Sequence, residues 1–389
     1  MTTPLLRVRH RTGFWLVTAA YAALMAFGTV PMPLWPLYHL SAPEVTTAFA
    51  VSVVGTAVSL HFGGHLSDRL GRRRVIVPAL LLGVAAAAVM AAWRDLPGLL
   101  LGRVLAGMAV GLAASTATSY LTDLHQAAHP GLVGSRVPAT VATAANLGGL
   151  ALGPLVAGAL AEWAPFPLVT PYVVAGVVMA VAVVAIAVTP ETVDRLAVVE
   201  APKFHLLAGK RGVFAGAAAV GFCSFGVFGI FGGLGALIVR GELHIASPWV
   251  WGVAATTVLG VSAVAQFAVP AARMFPVGLV CTPVGLALVV LAMRYPSLAL
   301  YLLGAALSGA GAGLLFKAAL SGAMAAAEPA ARAGVLSVFF IVAYLGMGLP
   351  PVLLALTSAV LDDRIGLTLF GAVLAGAAVL AARRQTAAA

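Results

Sequence analysis

The chain has 389 residues, of which 62% are hydrophobic and only 9% charged, and it carries a formal net charge of +10. Soluble domains are about 45–50% apolar and about 25% charged, so composition excludes an ordinary soluble enzyme, a disordered chain and a coiled coil. In a soluble protein the excess of Lys and Arg would point to nucleic acid. Here the basic residues fall in gaps between apolar runs, which is the pattern of membrane-protein loops and removes nucleic acid from the expected partners.

Arg7, Arg9, His10 and Arg11 precede an apolar run from Phe14 to about Tyr38. That run is longer than the roughly 7–15-residue core of a signal peptide, so it reads as an uncleaved first span. Further runs follow near residues 45–65, 75–93, 97–121, 137–161 and 169–189. A second set lies near 212–238, 247–269, 275–293, 297–323, 333–358 and 365–382. At about 20 residues per crossing, this predicts an all-α membrane protein of twelve transmembrane helices. Residues 1–189 and 212–389 would form two six-helix bundles, joined by a polar linker at 190–211. Pro31, Pro33 and Pro36 should break helix 1 near its end. Trp35 and Tyr38 are expected in an interfacial aromatic belt, and Tyr21 is a candidate for lining a cavity.

With the N-terminus placed in the cytoplasm, sixteen of the 22 Lys and Arg fall on the cytoplasmic side and four outside. Arg103 and Lys317 fall within spans. This bias predicts that both termini and the linker are cytoplasmic, in the cell membrane. The halves also read as repeats. Leu101, Gly102, Gly107 and Gly111 recur as Leu303, Gly304, Gly309 and Gly313, and Gly149, Gly153 and Pro154 correspond to Gly346, Pro350 and Pro351. Matching small residues and prolines in two halves point to a repeat-built transporter.

The segment between helices 2 and 3 reads Gly63-Gly64-His65-Leu66-Ser67-Asp68-Arg69-Leu70-Gly71-Arg72-Arg73-Arg74. Glycine permits a tight turn, and Asp68 can cap a helix or pair with a basic residue. In a Gly, a carboxylate five residues on, then Arg, Gly and a basic pair, the chain resembles the major facilitator superfamily. Arg103-x3-Gly107-x3-Gly111 looks like that family's helix 4 motif. Gly149-x3-Gly153-Pro154-x3-Gly158 resembles its helix 5 motif, which goes with exporters exchanging drugs or metabolites for protons. Pro190-Glu191-Thr192 is a weaker family feature. The resemblance implies substrate binding near the midplane between two bundles and alternating access. It also implies conformational roles for Gly63, Gly64, Asp68, Arg69, Gly71, Arg72, Arg73, Gly149, Gly153 and Pro154.

Charge within a span is costly and tends to face the bundle interior. Arg103 is therefore expected either to line the pathway or to snorkel outward. Lys317 either faces the cavity or extends to the cytoplasmic interface. Asn146, the only asparagine, either bridges helices or contacts ligand. His61 reads as a packing residue, and Asp123 as a gate or structural contact. Helix 1 lacks the carboxylate of many proton-coupled exporters, and helices 7 to 12 have none in mid-span. Asp68, Asp123 and His61 therefore remain the candidates for proton coupling, with Arg103 and Lys317 setting the local potential. Cys223 and Cys281 lie in apolar runs, and neither a metal-ligand spacing nor a phosphate loop is present, so no cofactor, metal or catalytic residue is expected. The leading expectation is a monomeric secondary exporter of small organic molecules, driven by protons. An importer or facilitator of a neutral or anionic metabolite, and a non-transporting membrane sensor or scaffold, stay open. A cysteine introduced at Lys203 should react with thiol reagents only from the cytoplasmic side; labelling from outside would reverse the orientation.

Overall fold

The structure is a computed structural model. It describes residues 9–132, 134–193, 204–328, 331–357 and 362–386, with backbone alone at 64–65, 333, 363, 374–375, 378 and 380–386. Twelve α-helices lie among the described residues. They are α1 (His10–Thr29), α2 (Ala42–Leu70), α3 (Arg73–Ala92), α4 (Leu96–Ala128), α5 (Val137–Trp163), α6 (Thr170–Ala187), α7 (Arg211–Gly241), α8 (Pro248–Ala268), α9 (Ala271–Arg294), α10 (Leu298–Ala325), α11 (Arg332–Thr357) and α12 (Asp363–Thr386). Eleven are long and apolar enough to cross a membrane. In α12 the described apolar stretch, Arg364–Val373, is shorter than a crossing, although the helical backbone continues to Thr386.

Local chemistry sets the helix starts. Asp95, Ser247 and Ser297 accept from the backbone N–H of Gly98, Val250 and Leu300 at the starts of α4, α8 and α10, at 3.3, 3.3 and 3.4 Å. These are N-cap bonds to donors that have no partner within the helix. Proline stands in the first turn of α4, α5, α6 and α8, where its missing N–H costs nothing. As expected, the proline-rich segment ends α1, and Met32–Leu37 forms a short 3-10 turn.

The chain groups into two compact units. One comprises Met1–Pro31 and Val54–Ala201; the other comprises Met32–Val53 and Pro202–Ala389. The main helix pairs of the first unit are α1 with α4, α5 and α6, and α3 with α4 and α6. Those of the second are α7 with α10, α11 and α12, α9 with α10 and α12, and α8 with α10. Apart from α8 with α10, the second set is the first advanced by six helices, which is the packing expected of a structural repeat.

The repeat extends to individual residues. A Cβ on Gly149 in α5 would fall on the carbonyl oxygen of Ala22 in α1, and one on Gly346 in α11 would fall on that of Phe222 in α7. A Cβ on Gly111 in α4 would strike Ser59 of α2, and one on Gly313 in α10 would strike Ser262 of α8. In each unit, bare glycine lets two backbones touch, the main source of helix association where lipid tails are as apolar as the side chains.

The expected belt position of Trp35 and Tyr38 is corrected by the structure. Trp35 is fully buried, and Tyr38 is nearly so. The Trp35 indole donates to the carbonyl of Gly232, 2.8 Å away and in the same unit, because a residue with no side chain leaves that oxygen open.

Gly153 has the same role as Gly149 one turn further along, facing Ala26 and Thr29 of α1. Gly153→Leu should force α1 and α5 apart and destabilise the first unit by roughly 3 kcal/mol, at the upper end for overpacking. A large drop in the thermal melting temperature in detergent would show it; an unchanged melt would mean that this approach is not needed.

Candidate functional site

In the first unit α2 ends at Leu70, and Gly71 turns the chain into α3 with φ at +110°, a left-handed conformation that favours glycine. The side where a Cβ would stand is filled by the carboxylate of Glu191. Glu191 Oε1 accepts from the backbone N–H of Arg72 at 2.8 Å and from that of Thr192 at 3.0 Å. It thereby caps the positive end of α3.

The guanidinium of Arg72 holds the rest together. Its Nη1 pairs with Asp68 one turn back on α2 and donates to Ser67 Oγ at 2.8 Å. Its Nε donates to Asp123 Oδ2 on α4 at 3.2 Å. The Thr192 hydroxyl donates to the same Asp123 oxygen at 3.0 Å. The Tyr120 hydroxyl donates to the carbonyl of Pro190 at 2.7 Å. Arg73 closes the last turn of α6, donating to the carbonyls of Ala187 and Thr189, each at 3.1 Å. One cluster therefore joins the ends of α2, α3 and α4 to the segment after α6. A single exposed ion pair contributes little, but here one arginine is shared by half-buried groups from three elements.

Of the sequence candidates, Asp68, Gly71, Arg72, Arg73 and Asp123 meet in this cluster. Arg69 is exposed beside it. Gly63 faces Ser115 of α4, and Gly64 lies in α2 where side chains are not described. Gly149, Gly153 and Pro154 form the buried face of α5, the glycines against α1, and the Thr29 hydroxyl of α1 donates to Leu150 of α5 at 3.0 Å. Tyr21 is buried in α1. Asn146 is half-buried and makes no side-chain hydrogen bond among the described residues. His61 is exposed, edge-on to Phe62.

The two embedded cations have matching surroundings. Arg103 is buried and does not snorkel outward; its Nη1 donates to the carbonyl of Gly28, in the last turn of α1, at 3.2 Å. The Lys317 ammonium donates to the carbonyl of Gln266, in the last turn of α8, at 2.7 Å, and lies 5.8 Å from the Phe267 ring. The usual helical donor to Gln266 would be the N–H of residue 270, but that residue is Pro270 and has none. Each cation thus serves an orphan carbonyl at the negative end of a helix.

Several groups escaped the sequence reading. Glu191 and Thr192 carried only a three-residue signal, yet they complete the cluster. In the second unit Phe225 of α7, Phe316 of α10, and Phe340 and Tyr344 of α11 form one half-buried aromatic group, with ring centroids 4.7 to 6.3 Å apart. His125 and His129 stack at 4.7 Å near the end of α4. Ordinary aromatic spacing in apolar helices gives no warning of such convergence.

A profile of the Major Facilitator Superfamily matches residues 13–347. The chain belongs to that superfamily. Its family is one of membrane transporters rather than enzymes, and the protein is a multi-pass integral membrane protein. It is 33% identical to the arabinose-proton symporter of Bacillus subtilis over 99 residues, 25% of this chain and 21% of that protein. It is 35% identical to the bovine solute carrier family 2 facilitated glucose transporter member 8 over 128 residues, 33% of this chain and 26% of that one. To the bacillibactin exporter of Bacillus subtilis it is 32% identical over 130 residues, 30% of this chain and 31% of that one. The matches therefore span less than a third of these relatives' own lengths.

Among solved structures it resembles a peptide transporter of the POT family in complex with sulfate, with a TM-score of 0.76 at 16% identity, covering 97% of this chain and 94% of that one. It also resembles the human organic anion transporter MFSD10, with a TM-score of 0.68 at 17% identity, covering 96% and 100%. These likenesses establish the fold of a major facilitator superfamily member.

Lys317→Met keeps the apolar stem but removes the donor. It should leave the Gln266 carbonyl unpartnered and lower stability by about 1–3 kcal/mol, read as a lower melting temperature. An unchanged melt would show that the ammonium does not close α8.

Proposed function

We propose that this chain is a secondary transporter that exports small organic molecules in exchange for protons, by alternating access of two six-helix halves, residues 1–189 and 212–389. The cluster of Asp68, Arg72 and Asp123 with Glu191 and Thr192 carries the reading. It ties the ends of α2, α3 and α4 to Glu191 and Thr192, at the start of the segment that leads to the other half, through ion pairs that can break and reform at small net cost. The helix 5 motif and the likeness to the bacillibactin exporter support export. The half-buried aromatic group of the second unit supports a cargo with apolar or aromatic surface. In this reading both termini are cytoplasmic, the protein works as a monomer in the cell membrane, and Asp68 and Asp123 are the groups closest to carrying coupling protons. Arg103 and Lys317 act chiefly by holding helix ends.

A second reading, import of a small neutral metabolite with protons, is favoured by the likeness to the arabinose-proton symporter and the facilitated glucose transporter.

Proteoliposomes with and without an imposed pH gradient separate the two. With the outside acid, so that protons run inward, export by exchange predicts that cargo is driven out, whereas symport predicts that it is driven in. Asp68→Asn should lower turnover at least about tenfold, the effect of a shift of about 1.4 kcal/mol between states, while folded protein stays in the membrane. Wild-type turnover in that variant would remove the gating role.

A further inference from the structure

Two residues beyond Asp123, on the same helix end, the chain forms a different site. His125 is more than nine-tenths buried, and its Nε2 has no hydrogen-bond partner. It lines a cavity of about 180 Å³ together with Arg11, Phe14, Trp15, Ala128, His129 and Val137. All seven belong to the first unit, and the cavity lies where the start of α1, the end of α4 and the start of α5 meet. The Phe14 ring packs on His125 at 5.7 Å and on Trp15 at 5.2 Å. Trp15 itself is exposed on the outer face of α1, so the cavity has an aromatic wall that continues to the protein surface.

The polar lining is one-sided in charge. Among the described residues Arg11 is the charged lining residue, and no carboxylate lines the cavity. The nearest acid along α4, Asp123, is engaged with Arg72 and Thr192. Val137 is the first residue of α5, and Arg11 stands in the first turn of α1, so the positive ends of two helices adjoin the cavity, the Val137 N–H itself being held by Ser135 Oγ at 3.3 Å. At the opposing negative end of α4 the backbone N–H of His129 reaches the carbonyls of His125 and Gln126, at 2.9 and 3.2 Å. A buried imidazole nitrogen with nothing to bond to is costly, and the groups around it favour an anion as its partner.

We propose that this cavity is a binding site for a phosphate group. Arg11 and His125 Nε2 would hold its oxygens, and the wall of Phe14 and Trp15 would carry any attached apolar chain. The source is either an anionic phospholipid at the membrane surface or a free phosphate. A volume of about 180 Å³ is several times the roughly 30 Å³ share of a water molecule, enough for a phosphate headgroup but not for an acyl chain as well, which would leave past Trp15.

The test uses the purified full-length chain in a neutral detergent, melted against three probes. These are dioctanoyl phosphatidylglycerol, dioctanoylglycerol with the same tails and no phosphate, and inorganic phosphate. A saturable rise in melting temperature with the phospholipid, and none with dioctanoylglycerol, is the expected result. The same rise with inorganic phosphate would assign the site to a free anion, and no rise with it would assign the site to lipid. Arg11→Gln, at an exposed position that tolerates change, should weaken the phospholipid or phosphate response about tenfold, the loss of one charge-assisted hydrogen bond. His125→Phe, which keeps an aromatic ring against Phe14, should do the same. Equal responses to phospholipid and dioctanoylglycerol, no response to either phosphate-bearing probe, or a wild-type response in both variants would overturn the proposal.

Discussion

A membrane interior supplies no water to a backbone carbonyl, and much of this structure follows from that constraint. Proline interrupts the chain just after α1 and just after α8, and each break leaves carbonyls without helical donors. The protein answers with side chains from other helices: Arg103 reaches Gly28, and Lys317 reaches Gln266. Thr29 does the same for Leu150 of α5, whose helical donor position is taken by Pro154. A charged residue inside a span can thus be explained by the broken helix beside it, without any ligand.

Where no such bond is available, cohesion comes from backbone contact. The glycines of α4 and α5, and their counterparts in α10 and α11, let main chains meet with nothing between them. Each unit is built from the same helix pairs, so the same residues recur where the same close approaches recur. Such an interface is tight yet depends on few directional bonds, which suits helices that must move as a body.

The charged cluster at the ends of α2, α3 and α4 is held in a different way. Its contacts are ion pairs and hydrogen bonds among half-buried groups, shared through Arg72. Packed cores are bistable and resist continuous deformation, whereas shared ion pairs can exchange partners. The mechanical contrast between the glycine-packed interior and the ion-paired helix ends is the physical basis for proposing that a conformational switch lies at the ends.

The fold was legible in the sequence, since apolar runs of spanning length, loop charge and repeated glycines depend on local composition and on the lipid environment. Asp68, Gly71 and Arg72 could be singled out for the same reason: their spacing lies within one turn between two helices. Partnerships across 69 and 119 residues had no such local signature. Glu191 meets Arg72, and Asp123 meets Thr192, only because α4 and α6 return to the end of α2. Trp35 resembled an interfacial residue until Gly232 offered it a bare carbonyl. His125 was one more histidine at a helix end until the start of α1 closed over it. Composition and periodicity determined which segments are helices and that they lie in a membrane. Tertiary structure alone decided which polar groups face one another, because a helix sets the direction of its own side chains but not which helix stands opposite.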